Sequence, residues 1–570
     1  MPEGRLAAAD PAAGASSPGP PPRAHRAGVR RVAGWAPPLI PGVVLLLADG
    51  YRLGRLSLSR DEAYTVDAIG RPLPRVFAML AHTDAVNGAY YVLMHAWASV
   101  AGTSPAALRL PSLLAMPVAA VVAAAIGGRL ARAGRLPAPA ATGVVAGLLF
   151  TAAPQVTRYA QDARAYGLVT MCAAVATYLL LRALADGRWR WWAPYGAAIT
   201  AVGLFNLLAF LLVAAHGVTV WIARARQRAA LAPARPARAD LAGAGAGPAS
   251  DGAGSAGGQA GLAEGTGWAA PAARWLTVVG VALAVLSPLL VAGVVQRHQI
   301  SWLERPGVTA VSHLVVTFAG SQPLVPLLGL LVLVGVIATV ADRPQVPLDM
   351  VTVALPWLLL PAAVLLTASQ IRPVYDARYL VFCLPALGLL GACGVAWVTR
   401  FAAMIPVRGA GGAAVGLPAV LILALLAALV AGPQRSVRAA PSRLADLRGT
   451  AAVLAAQGRR GDAMLYVPPS NRVFSMAYPA PFRRLRDVAL AESPAAAANL
   501  SGAEVTAGIL RERFARVGRV WVVSGRRMFP FPDGGLEPAE AGLLRRFSLV
   551  RRWYVGEGML SLYARQRAGK

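Results

Sequence analysis

The sequence predicts an α-helical polytopic membrane protein of about 11 spans with a small C-terminal α/β domain. Three observations carry that expectation. The 570-residue chain is 56% hydrophobic and only 14% charged, too little charge to coat a soluble protein of this size. Its mean hydropathy is +0.54, and apolar runs of membrane-spanning length recur along it. After about residue 433 the runs stop and short alternating segments take over.

The elements follow in order. Residues 1–33, rich in Pro, Ala and Arg, read as a disordered, basic cytoplasmic N-terminus. No small-residue cleavage site follows, so the first run is expected to be a retained helix. Apolar runs fall at 34–50, 109–128, 138–153, 165–182, 191–205, 206–223, 274–295, 323–341, 350–369, 379–400 and 412–432. A shorter run at 88–101 carries His95 and suits a span or an interfacial helix. The organisation expected is a front transmembrane module over 34–228 with a first outer loop at 51–108, then a Gly/Ala-rich flexible linker at 229–273. A second transmembrane module covers 274–432 and an extracytoplasmic α/β domain 433–570. Within the last, 462–469, 484–490 and 519–525 read as strands, 503–515 as helix and the end of the chain as a hairpin.

The net charge of +29 does not point to nucleic acid, because the basic residues are almost all Arg and sit in the tails and at the ends of apolar runs. There they anchor and orient helices. With a cytoplasmic N-terminus and 88–101 left at the interface, Arg129, Arg132, Arg135, Arg182, Arg188, Arg190, Arg224, Arg226, Arg228, Arg343, Arg400 and Arg408 all fall inside. The same parity sends the C-terminal domain outside. Cys172, Cys383 and Cys393 lie within apolar runs and read as small core residues.

This topology gathers four polar motifs on the outer face. They are SRDEAYT with Asp61 and Glu62, AHTDAVNGAYY with His82, Asp84, Tyr90 and Tyr91, RYAQDARAY with Asp162 and Arg164, and QIRPVYDARY with Arg372 and Arg378. Singly, each has a plain structural reading: a solvated acidic pair, a helix-end ion pair, an interfacial arginine, an aromatic belt. Together they fit glycosyl transfer from a lipid-linked sugar. An acceptor hydroxyl must lose a proton, which a carboxylate takes as general base. The leaving phosphate on its polyprenyl chain needs charge stabilisation, which Arg supplies with a planar fork of donors. Asp61 and Glu62 are neighbours and point differently, so one is expected to act as base and the other to orient it or a substrate hydroxyl.

The segments DEAYT, DAVNGAYYVLMHAW, ALRLPSLLA, YAQDARAY and RYLVFCLPALGLL occur in the order seen in GT-C glycosyltransferases. Over roughly residues 50–400 the chain resembles the RgtA/B/C/D-like and protein O-mannosyltransferase-like superfamily, in its bacterial mannosyltransferase branch. The resemblance implies a multi-pass inverting transferase in the cell membrane, using a polyprenyl-phosphate sugar at the extracytoplasmic face. It puts the catalytic carboxylate at Asp61, with Glu62 beside it, and Arg109 near the lipid phosphate. Many relatives have Pro-Pro before Tyr-Tyr, where this chain has Val86 to Ala89, and Glu where it has Asp162. These departures leave the acceptor open among glycan, lipid and protein.

Two other functions fit a polytopic protein. A transporter or flippase of lipid-linked sugar would place ionisable groups near the midplane, whereas these spans carry almost none. A non-enzymatic scaffold would leave the loop acids dispensable. No metal ligands are assigned; a divalent cation could engage Asp61, Glu62 and Asp84, with no spacing that requires it. Asn499-Leu500-Ser501 matches a glycosylation pattern too short to weigh.

Overall fold

The computed structural model describes residues 36–231, 269–344, 346–404, 413–443, 445–525, 542–556 and 558–566. The N-terminal tail, most of the expected linker and Arg408 lie outside the described residues.

Every apolar run read from the sequence falls on helix over its described residues. The front module comprises α1 (Ala36–Gly50), α2 (Arg60–Ile69), α3 (Leu73–His82), α4 (Gly88–Ala101), α5 (Pro105–Ala133), α6 (Pro139–Ala152), α7 (Pro154–Ala160), α8 (Tyr166–Asp186), α9 (Trp189–Phe205) and α10 (Leu212–Leu231). The second module comprises α11 (Ala269–Val295), α12 (Val308–Ala319), α13 (Leu324–Asp342), α14 (Met350–Ile371), α15 (Leu384–Met404) and α16 (Ala413–Val437). Among the described residues, eight helices are long and apolar enough to cross a membrane, or nine if the bent pair α6–α7 counts as one. α1 and α12 are shorter apolar helices. The chain is a multi-pass membrane protein.

Two local features position the site. At the α6–α7 junction Pro154 cannot continue the amide ladder, Ala153 before it is extended, and the chain turns by 68°. That turn brings the RYAQDARAY segment across the end of the bundle. Beneath it α5, α6 and α15 pack through small residues. A Cβ on Gly143 would collide with the Ala124 carbonyl, and one on Gly147 with Pro41. In lipid, where apolar side chains gain nothing from leaving water, such close backbone approach is what holds helices together.

The C-terminal domain has a five-stranded sheet. Its strands are β1 (Ala463–Val467), β2 (Arg486–Asp487), β5 (Arg519–Gly525), β6 (Phe547–Val555) and β7 (Gly558–Arg565), in the order β2-β1-β5-β7-β6. β1 runs parallel to β2 and β5; the terminal hairpin β6–β7 adds antiparallel. β3 (Leu490–Glu492) and β4 (Ala503–Glu504) form a separate antiparallel pair. The buried parallel strands must be covered on both faces. α17 (Leu447–Gln457) and the short helices over Val473–Phe482 cover one; a helix at Ala507–Ala515 covers the other.

The first of these layers reaches into the membrane module. Ala63 of α2 belongs to the same buried cluster as Leu447, Tyr466, Phe474 and Trp521. Arg448 donates to the carbonyls of Arg55 and Gly54 at 2.8 and 3.2 Å, and the Leu58 amide donates to the Tyr478 hydroxyl at 3.1 Å. The domain therefore sits directly on the first loop.

Candidate active site

The site starts from the short helix α2. Ser59 caps it: the Glu62 amide donates to Ser59 Oγ at 3.2 Å and the Ser59 amide donates to Glu62 Oε2 at 2.8 Å. The cap fixes the helix phase. Adjacent helical positions are about 100° apart, so the two acids face opposite environments. Asp61 keeps 38% of its side chain exposed, while Glu62 has none.

Glu62 is held as an ion-pair anchor. Arg109 meets it through two bonds, Nε to Oε1 at 2.7 Å and Nη2 to Oε2 at 3.0 Å, and the Ala163 amide donates to Oε1 at 2.9 Å. The remaining Arg109 protons go to the carbonyls of Leu53, Leu56 and Ser57. All five donors are engaged inside the protein and none faces open space. Burial alone would lift the Glu62 pKa, but the Arg109 charge and hydrogen bonds outweigh it and hold the carboxyl down to about 2. Asp162 is also buried, 3.4 Å from Arg443. Burial and the nearby Glu62 charge push it up to about 6 against the pull of Arg443.

Asp61 instead faces a cavity of about 1230 Å³ between the bundle and the C-terminal domain. Its Oδ2 accepts from Arg378 Nη1 at 2.9 Å. Arg378 also pairs with Asp376 at 3.1 Å and lies over the Trp302 and Tyr379 rings. Arg164 donates to the Asp61 carbonyl at 3.4 Å and to the Tyr91 hydroxyl at 3.3 Å. Tyr91 in turn donates to Asp84, which sits in the left-handed region at φ 62° and also accepts from Asn87 at 2.6 Å. Gln299 and Gln296 pin this turn through the Asp84 and Ala85 amides.

The cavity is lined by Arg60, Arg164, Arg297, Arg372 and Arg378 together with Asp61 and Asp84. Leu207, Leu208, Leu290 and Val294 make an apolar wall, and the C-terminal domain contributes Ser470, Phe474, Asn499, Leu500 and Ser501. A hollow with basic and apolar sides can take an amphiphile with an anionic head, and Asp61 is placed to accept a proton there.

The sequence-derived candidates therefore divide. Asp61, Asp84, Arg164, Arg372 and Arg378 line the cavity. Tyr91 stands behind Asp84; Tyr90 is buried next to it. Glu62, Arg109 and Asp162 are enclosed. Arg109, expected near a lipid phosphate, has all five donors engaged within the protein, and Glu62 is held in its ion pair with it. His82 is exposed at the end of α3 and does not line the cavity. Among the described residues no three His, Cys, Asp or Glu side chains group as metal ligands, and Glu62 is not available to join Asp61 and Asp84. Sequence reasoning missed Arg60, Arg297, Trp302, Gln299 and Arg443. The polar run QRHQISW at the end of α11 was the available signal for three of them.

No protein-family model and no curated protein matches the chain. Solved structures do. The apo crystal structure of ArnT from Cupriavidus metallidurans superposes with a TM-score of 0.53 at 14% identity, covering 93% of this chain and 98% of that one. The structure of the same ArnT bound to undecaprenyl phosphate gives 0.51 at 15%, covering 92% and 97%. Across nearly its whole length, C-terminal domain included, the chain has the fold of ArnT.

Proposed function

We propose that the protein is an integral-membrane glycosyltransferase. It moves a hexose, with mannose the first candidate, from a polyprenyl phosphate to a cell-envelope glycan, lipid or protein acceptor at the extracytoplasmic face. The observation that carries this reading is the cavity itself. Asp61 and five arginines line it together with apolar side chains from α11 and the Leu207–Leu211 turn. The ArnT neighbour bound to undecaprenyl phosphate supports a donor of that class.

The residues suit an inverting displacement. The acceptor hydroxyl attacks the anomeric carbon from the face opposite the phosphate and gives its proton to Asp61. The bond between that carbon and the phosphate oxygen breaks, and the leaving phosphate keeps the electron pair. Arg378, held by Asp61, Asp376 and the Trp302 ring, and Arg164 behind it, supply charge for that phosphate. Glu62 and Arg109 hold α2 so that Asp61 keeps its direction. The C-terminal domain closes the cavity and offers the neutral polar groups Ser470, Asn499 and Ser501 for an acceptor.

The test is sugar transfer from a panel of polyprenyl-phosphate sugars in membranes carrying wild type or Asp61→Asn at equal expression. Transfer by wild type, reduced about 10²–10⁴-fold in the variant, supports the base and names the sugar. Equal transfer by both would remove Asp61 from that role.

A further inference from the structure

At the opposite end of the bundle lies a second hollow of about 180 Å³, between the ends of α5, α8 and α10 and the start of α11. The other ends of these helices meet the cavity region: α8 begins just after Arg164, and α11 finishes with Leu290 and Val294 in the cavity wall. The two hollows therefore belong to opposite membrane faces. The second lies on the face where the flanking arginines concentrate.

Its walls are apolar except for Arg129, Arg224 and Gln227. Arg182 and Arg132 bear electrostatically on Arg129, and Arg182 lies 4.4 Å from the centre of the Trp191 ring. Among the described residues no carboxylate pairs with Arg129, Arg132, Arg182 or Arg224. The acids close by are committed elsewhere: Asp349 to Arg226 at 2.6 Å and to the Thr352 amide, and Asp186 to Arg190. The Nε of Arg224 is buried with no hydrogen-bond partner. A buried donor left unpaired and like charges gathered together both cost free energy until an anion arrives.

We propose that this hollow binds the phosphate headgroup of an anionic membrane lipid. The planar forks of Arg129 and Arg224 suit a phosphate. The leucines around them suit the start of acyl chains that continue into the bilayer beside the same helices, and free phosphate would gain nothing from that lining. Basic hollows between transmembrane helices at the cytoplasmic edge take headgroups in this way. The proposal is independent of the catalytic reading and stands if that reading fails.

The experiment counts lipids retained by the purified full chain in native mass spectrometry, comparing phosphatidylglycerol with phosphatidylcholine of identical acyl chains. Inorganic phosphate is tested as a competitor. The expected result is retention of phosphatidylglycerol about tenfold over phosphatidylcholine, unaffected by millimolar phosphate. Arg129→Gln/Arg224→Gln should bring the ratio close to one, while Arg228→Gln, exposed on α10 outside the hollow, leaves it unchanged. If the double variant does not fold, Arg224→Gln alone must still lower the ratio. Equal retention of the two lipids by wild type, a preference that survives the substitutions, or displacement by free phosphate would each overturn the proposal.

Discussion

Two adjacent carboxylates, identical in charge and neighbours in the chain, have opposite fates because one helical step turns them about 100° apart. Their substitutions should separate cleanly. Asp61→Asn is expected to leave thermal stability nearly unchanged, since it loses one partly exposed ion pair. Glu62→Gln leaves Arg109 charged and buried without its partner, and should cost about 3–5 kcal/mol, seen as poor expression or a lower melting temperature. The titrations also run in opposite senses. The Glu62 pKa is held down to about 2, so its contribution to stability is complete above its ordinary 4.5 and is lost as pH falls towards 2. The Asp162 pKa is raised from 3.8 to about 6, so the folded state holds a proton that the unfolded state has released. Stability from this group therefore falls as pH rises from about 4 to about 6 and is flat above. Melting curves of wild type and Asp162→Asn across that range should show wild type losing ground to the variant up to pH 6 and then running parallel; a constant difference throughout would contradict the assignment. The sequence placed both acids at the edge of the membrane. It held no sign of which one turns inward, because that depends on Arg109, 47 positions away.

At the scale of elements, most of the fold was legible. Apolar runs of span length have few alternatives in a chain so poor in charge, and all eleven fall on helix over their described residues. The strands at 463–467 and 519–525 and the terminal hairpin appear where alternation and turn residues put them. The α12 helix was not anticipated: twelve residues interrupted by Ser312 and His313 fall short of a span signal. The run at 138–153 ends where α6 does, but the short helix α7 that starts at Pro154 was not anticipated, since prolines inside α5 and α14 leave those helices continuous. What a proline does in a bundle depends on whether neighbours re-satisfy the freed carbonyls, and one sequence does not show that. The capping of α2 is a local feature with a measurable value. Ser59→Ala removes the side-chain half of the capping box and should lower stability by about 1 kcal/mol. Because the cap also sets the direction of Asp61, activity should fall more than that loss of stability explains.

At the scale of the molecule, the cavity belongs neither to the bundle nor to the C-terminal domain alone. It is made where α2, the RYAQDARAY turn, the end of α11 and the segment 372–379 meet the loops around Phe474 and Leu500. The co-location of the four motifs was legible from flanking arginines because topology constrains which loops share a face. The cavity's other wall was not, because docking of the C-terminal domain rests on scattered contacts, such as Arg448 with the carbonyls of residues 54 and 55, that carry no sequence signature. Arg378 sits where lipid phosphate and base meet in the proposed mechanism. Arg378→Gln should lower kcat as well as raise the apparent KM for donor, because the charge it meets grows on the leaving phosphate, whereas Asp61→Asn should lower kcat with little effect on KM. The most direct test measures binding of undecaprenyl phosphate and sugar transfer on the same purified samples of wild type and Asp61→Asn. The variant is expected still to bind the lipid phosphate while transfer falls about 10²–10⁴-fold. Transfer that persists at the wild-type rate in Asp61→Asn would contradict that expectation.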